Sequence, residues 1–269
     1  MEILLTLEKM PAWLDGNGLA NYLLKTDQDF IQLKKLLGRQ ITIEFTNEKY
    51  CSNCGNQFAD LYRMGFCQNC FFTAPQAGES IIRPELSRAH EGIEDRDLEF
   101  EKSYQLQPHL VYLANSGALK VGVTREEQRP VRWIDQGASE AIVFAKTENR
   151  YQAGQIEVAM KAHLGDKTPW QKMLKNEIPE LDLKAEKEVL RSKLEGDLAE
   201  FYAEDENEIC KIEYPVETYP ARVKSLNLDK EPKIEAALIG VRGQYLIFEG
   251  GRVFNVRGNT GYRIKLAFS

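Results

Sequence analysis

The chain has 269 residues, of which 43% are hydrophobic and 28% are charged, a composition that is ordinary for a protein with a buried core. No apolar run approaches the roughly 18 residues of a membrane-spanning helix. No secretory signal precedes Glu8 and Lys9. We therefore expect a cytoplasmic protein with no membrane partner, long enough for more than one domain.

The net charge of −6 is unevenly distributed. Residues 177–208 carry four Lys/Arg and twelve Asp/Glu, whereas residues 109–176 carry ten and seven, and residues 209–269 carry ten and six. Residues 177–208 alone carry more net negative charge than the whole chain, so the rest of the chain is net positive. The acidic total therefore does not exclude a nucleic-acid partner for the remaining surface.

The first segment, 1–50, predicts a helix followed by a strand. Residues 27–38 begin with the capping acid Asp27, have apolar residues at helical spacing and end at Gly38. Residues 40–45 then alternate between polar and apolar side chains. We expect this segment to join residues 209–269 in one β-rich unit.

Two cysteine pairs follow at positions Cys51, Cys54, Cys67 and Cys70. Four thiolates at this spacing suit a tetrahedral structural Zn²⁺, and Gly55 suits a turn position that needs a positive φ. We predict a zinc ribbon over residues 51–72. The alternatives are two disulfides, which a cytoplasmic location disfavours, or a redox site, which usually needs only one pair.

The next segments differ in character. Residues 73–107 are polar, acidic and weakly periodic, which predicts an extended connection. Residues 177–208 predict an acidic amphipathic helix. Residues 209–269 predict a β-rich region in which Cys210 is a small core residue.

Residues 108–176 predict a compact unit. Two apolar runs, 109–114 and 119–124, flank Asn115-Ser116-Gly117, which is a strong β-hairpin signal. The patterns that follow predict a helix over 131–136, a strand over 140–146 and a helix over 151–164 closed by Gly165. The predicted order is β-hairpin, helix, strand, helix, and the predicted fold class is α+β.

This unit holds side chains that suit phosphodiester cleavage: Tyr112, Lys120, Arg129, Arg132 and Glu157. A carboxylate can hold a divalent cation, and a basic side chain can neutralise the phosphate in the transition state. A phenol or an amine can handle the proton of the attacking water. Strands followed by helices can bring these groups to one concave face.

The order Leu110-Val111-Tyr112, Lys120-Val121-Gly122, Arg132 and then a helical Glu157 followed by His163 is similar to the GIY-YIG superfamily, especially to members that read Lys-Ile-Gly-x-Thr at the second element. The resemblance covers residues 109–165. It implies a small three-stranded antiparallel sheet with flanking helices and metal-dependent endonuclease chemistry.

By that resemblance, Glu157 would ligate Mg²⁺ or Mn²⁺, Arg132 would contact the scissile phosphate, and Tyr112 would orient or deprotonate the attacking water. Arg129 and His163 are further candidates. Lys120 stands where the usual motif has its second tyrosine, and Leu110 replaces its first glycine, so the resemblance does not identify the general base.

Four longer strings, with the upstream cysteines, resemble a bacterial family described as a domain of unknown function, number 2797. They lie at 111–117, 120–125, 132–138 and 166–170. That resemblance implies no established activity. Residues 73–93 contain no further cysteine, so we expect no second metal site.

Each candidate also has an ordinary explanation. Tyr112 could be a strand residue with a wetted hydroxyl, Lys120 an edge-strand charge and His163 a helix-end residue. Arg132 could pair with Asp135, and Glu157 with Lys161. Two hypotheses remain: a metal-dependent endonuclease, and a non-enzymatic module that binds nucleic acid or protein.

Overall fold

The computed structural model describes residues 2–164 and 170–269, which form β-strands and α-helices in a mixed order that confirms the α+β class. The strands are β1 (Glu2–Thr6), β2 (Ala12–Leu14), β3 (Ala20–Lys25), β4 (Phe30–Gln32), β5 (Gln40–Tyr50), β6 (Gln57–Phe58), β7 (His109–Asn115), β8 (Leu119–Arg125), β9 (Glu140–Thr147), β10 (Cys210–Lys211), β11 (Lys224–Ser225), β12 (Lys233–Arg242), β13 (Tyr245–Phe248), β14 (Arg252–Asn255) and β15 (Tyr262–Phe268). The α-helices are α1 (Gln68–Thr73), α2 (Glu79–Ile82), α3 (Leu98–Gln105), α4 (Val131–Asp135), α5 (Arg150–Lys161), α6 (Trp170–Leu174) and α7 (Leu183–Arg191).

The two ends of the chain build one β-rich unit, as predicted. Its sheet has the strand order β1-β15-β5-β12-β13-β14-β11, and β6 pairs with β5 outside that path. In β5, Ile41, Ile43 and Phe45 are buried while their neighbours are more exposed, so the period-two pattern gives the strand one core face. A separate antiparallel sheet, β2-β3-β4, adjoins it in sequence.

The helix predicted over 27–38 is wrong. Thr26 Oγ1 accepts a hydrogen bond from the Asp29 amide at 2.9 Å, and Asp29 Oδ1 accepts one from the Phe30 amide at 2.7 Å. Thr26 and Asp29 therefore close the hairpin turn between β3 and β4, whereas Asp27, the expected capping acid, pairs with Arg263 at 2.6 Å. Only a 3-10 turn, Leu33–Leu36, follows, and it buries its first and last leucines.

The central unit is a four-stranded sheet in the order β10-β9-β7-β8. The hairpin β7-β8, α4, β9 and α5 appear in the predicted order, and all the strand pairs are antiparallel. Every residue of β7 is buried. Val111 and Leu113 pack into the core that includes Ile156 of α5, while Leu110 and Tyr112 pack into the core that includes Trp133 of α4.

Two segments differ from their predictions. Residues 73–107 hold α2, α3 and three 3-10 turns, Pro75–Ala77, Pro84–Leu86 and Ala89–Glu91, because prolines begin two of those turns instead of extending the chain. The acidic helix predicted for 177–208 is shorter, since α7 ends at Arg191 and a 3-10 helix, Gly196–Phe201, follows. Gly165 and residues 166–169 lie outside the described residues.

One hydrophobic core runs from the β-rich unit to the α4 face of the central sheet; it includes Leu5, Ile264, Leu110 and Trp133. The predicted domain boundaries stay a prediction. None of the helices in residues 2–164 and 170–269 is long and apolar enough to cross a membrane.

We expect Gly154→Ala to destabilise the protein by about 1–3 kcal/mol. In a free helix this change would stabilise by up to about 1 kcal/mol, but here the new methyl group would overlap the backbone of Pro84 and Glu85. Urea unfolding measures the change. Val158→Ala, at an exposed position of the same helix, is the control and should cost less than about 0.5 kcal/mol. A more stable Gly154→Ala variant would contradict the packing described.

Candidate functional site

A cleft with a volume of about 320 Å³ lies along the β8 edge of the central sheet. Its charged lining consists of one carboxylate and five basic side chains: Asp135, Lys9, Arg125, Arg132, Arg150 and Arg257. The cleft is therefore strongly cationic, although the whole chain is acidic.

Segments that are far apart in sequence contribute the walls of this cleft. The four-cysteine unit supplies Met64, α2 supplies Ile82, α3 supplies Tyr104 and β8 supplies Thr124. Arg257 comes from the turn before β15. Folding of the full chain thus brings together groups that are far apart in sequence.

The basic side chains differ in how they are paired. Lys9 contacts Asp135 at 2.5 Å, and Arg125 contacts Glu127 at 2.6 Å. Arg150 is buried, and its guanidinium donates hydrogen bonds to the carbonyl oxygens of Ser80 at 2.9 Å and Ile81 at 2.7 Å. Those bonds hold α2 beside α5, but within residues 2–164 and 170–269 no carboxylate oxygen lies within 4.0 Å of the Arg150 guanidinium.

Arg132 and Arg257 have no carboxylate oxygen within 4.0 Å among the described residues. The Nε atom of Arg132 is buried and has no hydrogen-bond partner there. Burial lowers the pKa of Arg257, and the charge of Arg132 lowers it further. Burial likewise lowers the pKa of Arg150, and Arg132 again adds to this effect. Burial also lowers the pKa of Arg132, but Tyr112 and Asp135 raise it and outweigh that effect. Arg132 thus lies within electrostatic range of both Arg150 and Arg257, and an anion would reduce the repulsion between it and each of them.

Tyr112 lies fully buried beside Arg132. Its hydroxyl donates a hydrogen bond to Gln136 Oε1 at 2.8 Å and lies over Gly122 of β8, where a Cβ atom would be 2.5 Å from the phenol oxygen. Burial raises the pKa of Tyr112, whereas the charge of Arg132 lowers it and that of Glu157 raises it. The structure therefore brings the predicted tyrosine, arginine and glutamate within electrostatic range of one another.

Lys120 lies on the same sheet face as Tyr112, because its cross-strand partner is Ala114. It is partly buried, and burial together with the nearby Arg132 lowers its pKa to about 8. Among the described residues, no carboxylate lies within 4.0 Å of its amine.

Glu157 is 8% exposed on α5. Its Oε2 atom contacts Lys161 Nζ at 3.3 Å, which is the ordinary pairing weighed for it from the sequence. Burial raises the pKa of Glu157, the lysine opposes that effect, and Glu85 adds to it. The carboxylate is thus a buried acid between a lysine and a second acid.

Of the six candidate residues, Arg132 alone is among the described side chains that line the cleft; the other five, Tyr112, Lys120, Arg129, Glu157 and His163, are not. Arg129 pairs with Glu206 at 3.0 Å and lies over the ring of Trp133, so its contacts are structural. His163 is exposed in the turn after α5. The cleft instead uses Lys9 and Arg257, which the sequence reasoning missed because no local pattern links them to residues 108–176.

The sulfur atoms of the four predicted cysteines lie within 4.8 Å of one another. The edge of a tetrahedron with Zn–S bonds of about 2.3 Å is about 3.8 Å, which lies within that limit, so the donor set fits a metal ion such as zinc. Cys51 Sγ accepts N–H groups from Cys67 at 3.2 Å and Asn53 at 3.5 Å. Burial raises the pKa of Cys51, but these donors and that of Cys54 outweigh it and bring the pKa to about 6.

The backbone explains how the cysteines meet. Gly55 has φ +73°, and its amide donates to the carbonyl oxygen of Cys51 at 2.9 Å, which closes the first turn as predicted. The second pair begins α1, where Cys67 is the N-cap residue. One pair therefore lies on a turn after β5 and the other on a helix start.

The chain belongs to the family described as "Protein of unknown function (DUF2797)", whose model matches residues 38–264. The match spans the four cysteines, the central sheet and most of the β-rich unit. No curated protein and no solved structure shows a significant match.

We expect the amine of Lys120 to titrate near pH 8 instead of near 10.5. Because the unfolded chain binds the proton more tightly, the free energy of unfolding should rise with pH from about 8 to 10.5 relative to Lys120→Met. NMR of ¹³C-dimethylated lysines measures the titration, with Lys120→Met to assign the signal. Arg132→Leu should raise the pKa. A titration near 10.5 in the unmodified sequence would contradict this placement of the two charges.

Proposed function

We propose that the protein binds the phosphate backbone of a nucleic acid in the cleft at the β8 edge. The observation that carries this proposal is that three guanidinium groups, those of Arg132, Arg150 and Arg257, line one cleft without a carboxylate oxygen within 4.0 Å among the described residues. Guanidinium groups donate in a planar fork that matches phosphate oxygens, and a bound phosphate would neutralise the repulsion.

Two features favour a polymer over a small anion. Five basic side chains line the cleft, more than one phosphate group would contact. Tyr104 provides an aromatic ring under the guanidinium groups of Arg125, at 4.7 Å, and Arg150, at 5.5 Å. Basic side chains interleaved with aromatic rings are typical of nucleic-acid surfaces.

We expect Arg257→Gln to weaken binding of a fluorescein-labelled oligonucleotide and to reduce the slope of log K against log[salt] by about 0.7 to 0.9, the contribution of one phosphate contact. Fluorescence anisotropy at several salt concentrations measures both. Arg252→Gln is the control, since Arg252 belongs to the same β-rich unit and does not line the cleft. Equal salt slopes for wild type and Arg257→Gln would refute the proposed contact.

We infer that the four cysteines hold a structural Zn²⁺, as the ribbon interpretation requires. The sulfur cluster supports this inference, because four thiolates form the commonest kind of closed structural zinc site. The ion would tie β5 to α1 and so position Met64 in the wall of the cleft.

We expect Cys54→Ser to reduce the bound zinc from about one ion per chain, as one four-cysteine site holds, and to lower the unfolding temperature. Native mass spectrometry counts the metal. Cys210→Ser is the matched control, since Cys210 lies on β10 outside the cluster. Full zinc content in Cys54→Ser would count against this ligand set.

A second candidate function is metal-dependent phosphodiester cleavage of the GIY-YIG type. The position of the Tyr112 hydroxyl beside Arg132, within the field of Glu157, favours it. In this scheme Arg132 contacts the scissile phosphate, and Tyr112 orients or deprotonates the attacking water. Lys120, with a pKa near 8, is an alternative proton acceptor.

Glu157 is the residue that would hold Mg²⁺ or Mn²⁺ in this scheme. A divalent ion, when bound, supplies a positive charge beside the leaving phosphate oxygen. Lys161 Nζ lies 3.3 Å from Glu157 Oε2, so the lysine side chain would have to move away before a cation could bind the carboxylate. As an exposed lysine on a flexible stem, it can do so at small cost.

We expect Glu157→Gln to lose all Mg²⁺-dependent cleavage while keeping its affinity for the oligonucleotide, because the amide keeps the shape of the side chain and removes the charge. A gel assay with labelled DNA and RNA measures cleavage, and Lys161→Gln serves as the control that frees the carboxylate. Cleavage by Glu157→Gln at the wild-type rate would exclude this mechanism.

A further inference from the structure

The four-cysteine unit carries a cluster of three aromatic rings on its surface. Tyr62 stacks on Phe71 with centroids 5.5 Å apart, and Phe72 meets Tyr62 at 6.1 Å and Phe71 at 5.3 Å. Phe72 is 60% exposed and Tyr62 is 44% exposed. We call Tyr62, Phe71 and Phe72 the aromatic platform.

The backbone beneath the platform is fixed by hydrogen bonds. The Tyr62 amide donates to the Phe66 carbonyl oxygen at 2.7 Å. Arg96 donates through one nitrogen to the carbonyl oxygens of Phe71 at 2.9 Å and Ala74 at 2.8 Å. The rings therefore have a defined arrangement before any partner arrives, which lowers the entropic cost of binding.

Met64 links the platform to the cleft along the chain. Met64, two residues after Tyr62, lines the cleft, and the exposed Arg63 lies between them in sequence. Met64 and Phe71 also pack against the same small core around the cysteines. A chain leaving the cleft past Met64 would therefore meet an arginine and then the aromatic rings.

We propose that Tyr62 and Phe72 stack on unpaired bases of a single-stranded nucleic acid whose backbone occupies the cleft. This inference rests on the proposed function and names its substrate class. Every base has a π-face that an aromatic ring can cover, and such stacking tolerates any sequence. In a duplex those faces are already covered by neighbouring base pairs, so the platform selects single strands. Arg63 supplies a charge that matches the backbone between the two sites.

The test uses fluorescein-labelled oligothymidylate of about 12 nucleotides, within the range of single-strand site sizes, and a hairpin duplex with the same number of nucleotides. We expect Phe72→Ala to weaken oligothymidylate binding about tenfold. Because no phosphate contact is lost, its salt slope should stay that of the wild type. Phe72→Trp should restore the affinity, and hairpin binding should not change in either variant.

Phe58→Ala is the matched control, since Phe58 is exposed on the same unit and lies outside the platform. Tyr62→Ala provides a second variant, and the zinc content of each variant reports whether the unit is folded. Leucine keeps an apolar side chain at position 72 but has no ring to stack on a base. If Phe72→Leu bound oligothymidylate with wild-type affinity, the contact would be a general apolar one, as with a protein partner, and the stacking inference would be overturned.

The outcomes separate this inference from the proposed function. If Phe72→Ala and Tyr62→Ala bind like the wild type while Arg257→Gln loses affinity, the platform inference fails and the cleft proposal stands. If all three variants bind like the wild type, both fail. A tenfold loss for Phe72→Ala with an unchanged salt slope supports both.

Discussion

The complete burial of β7 is the constraint on which the rest of the structure depends. All seven of its residues are buried, so both faces of the central sheet must be covered. Helix α5 covers one face, while α4 and the β-rich unit cover the other. Because β9 and β10 occupy one side of β7, β8 is left as the edge strand, and the cationic cleft lies along it.

The second consequence of this arrangement is electrostatic. Arg150 is buried where its hydrogen bonds hold α2 against α5. Arg132 is placed in the cleft because α4, which carries it, lies beside Tyr112. The β-rich unit then adds Arg257 from a distant part of the chain. Folding thus brings like charges together, and burial makes their repulsion stronger than it would be in water. The nucleic-acid backbone that we propose as the ligand would reduce this cost.

Short-range patterns predicted much of the fold. The structure contains the predicted β7-β8 hairpin, helix α5 and the cluster of four cysteines. Each of these was predicted from residues that are close in sequence. The helix predicted over 27–38 failed because the side chains of Thr26 and Asp29 close a turn, while the expected capping acid Asp27 pairs with the distant Arg263. Residues 73–107 lack strong periodicity since their short helices are stabilised by packing on α5, a contact that local sequence does not encode.

The candidate site could be predicted only in part for the same reason. Tyr112, Lys120, Arg132 and Glu157 lie in one ordered unit, and the structure places them within electrostatic range. Lys9 and Arg257 reach the cleft through the β-rich unit, whose assembly from the chain ends was predicted without its register. Pairings such as Leu5 with Ile264 set that register, and they are long-range contacts.

The central proposal is that phosphates bind among the guanidinium groups of Arg132, Arg150 and Arg257. A crystal structure of the zinc-loaded protein with oligothymidylate tests it most directly. We predict a phosphate with oxygen atoms about 3 Å from guanidinium nitrogens of both Arg132 and Arg257. An ordered oligonucleotide bound elsewhere on the protein, with the cleft holding only water, would contradict it.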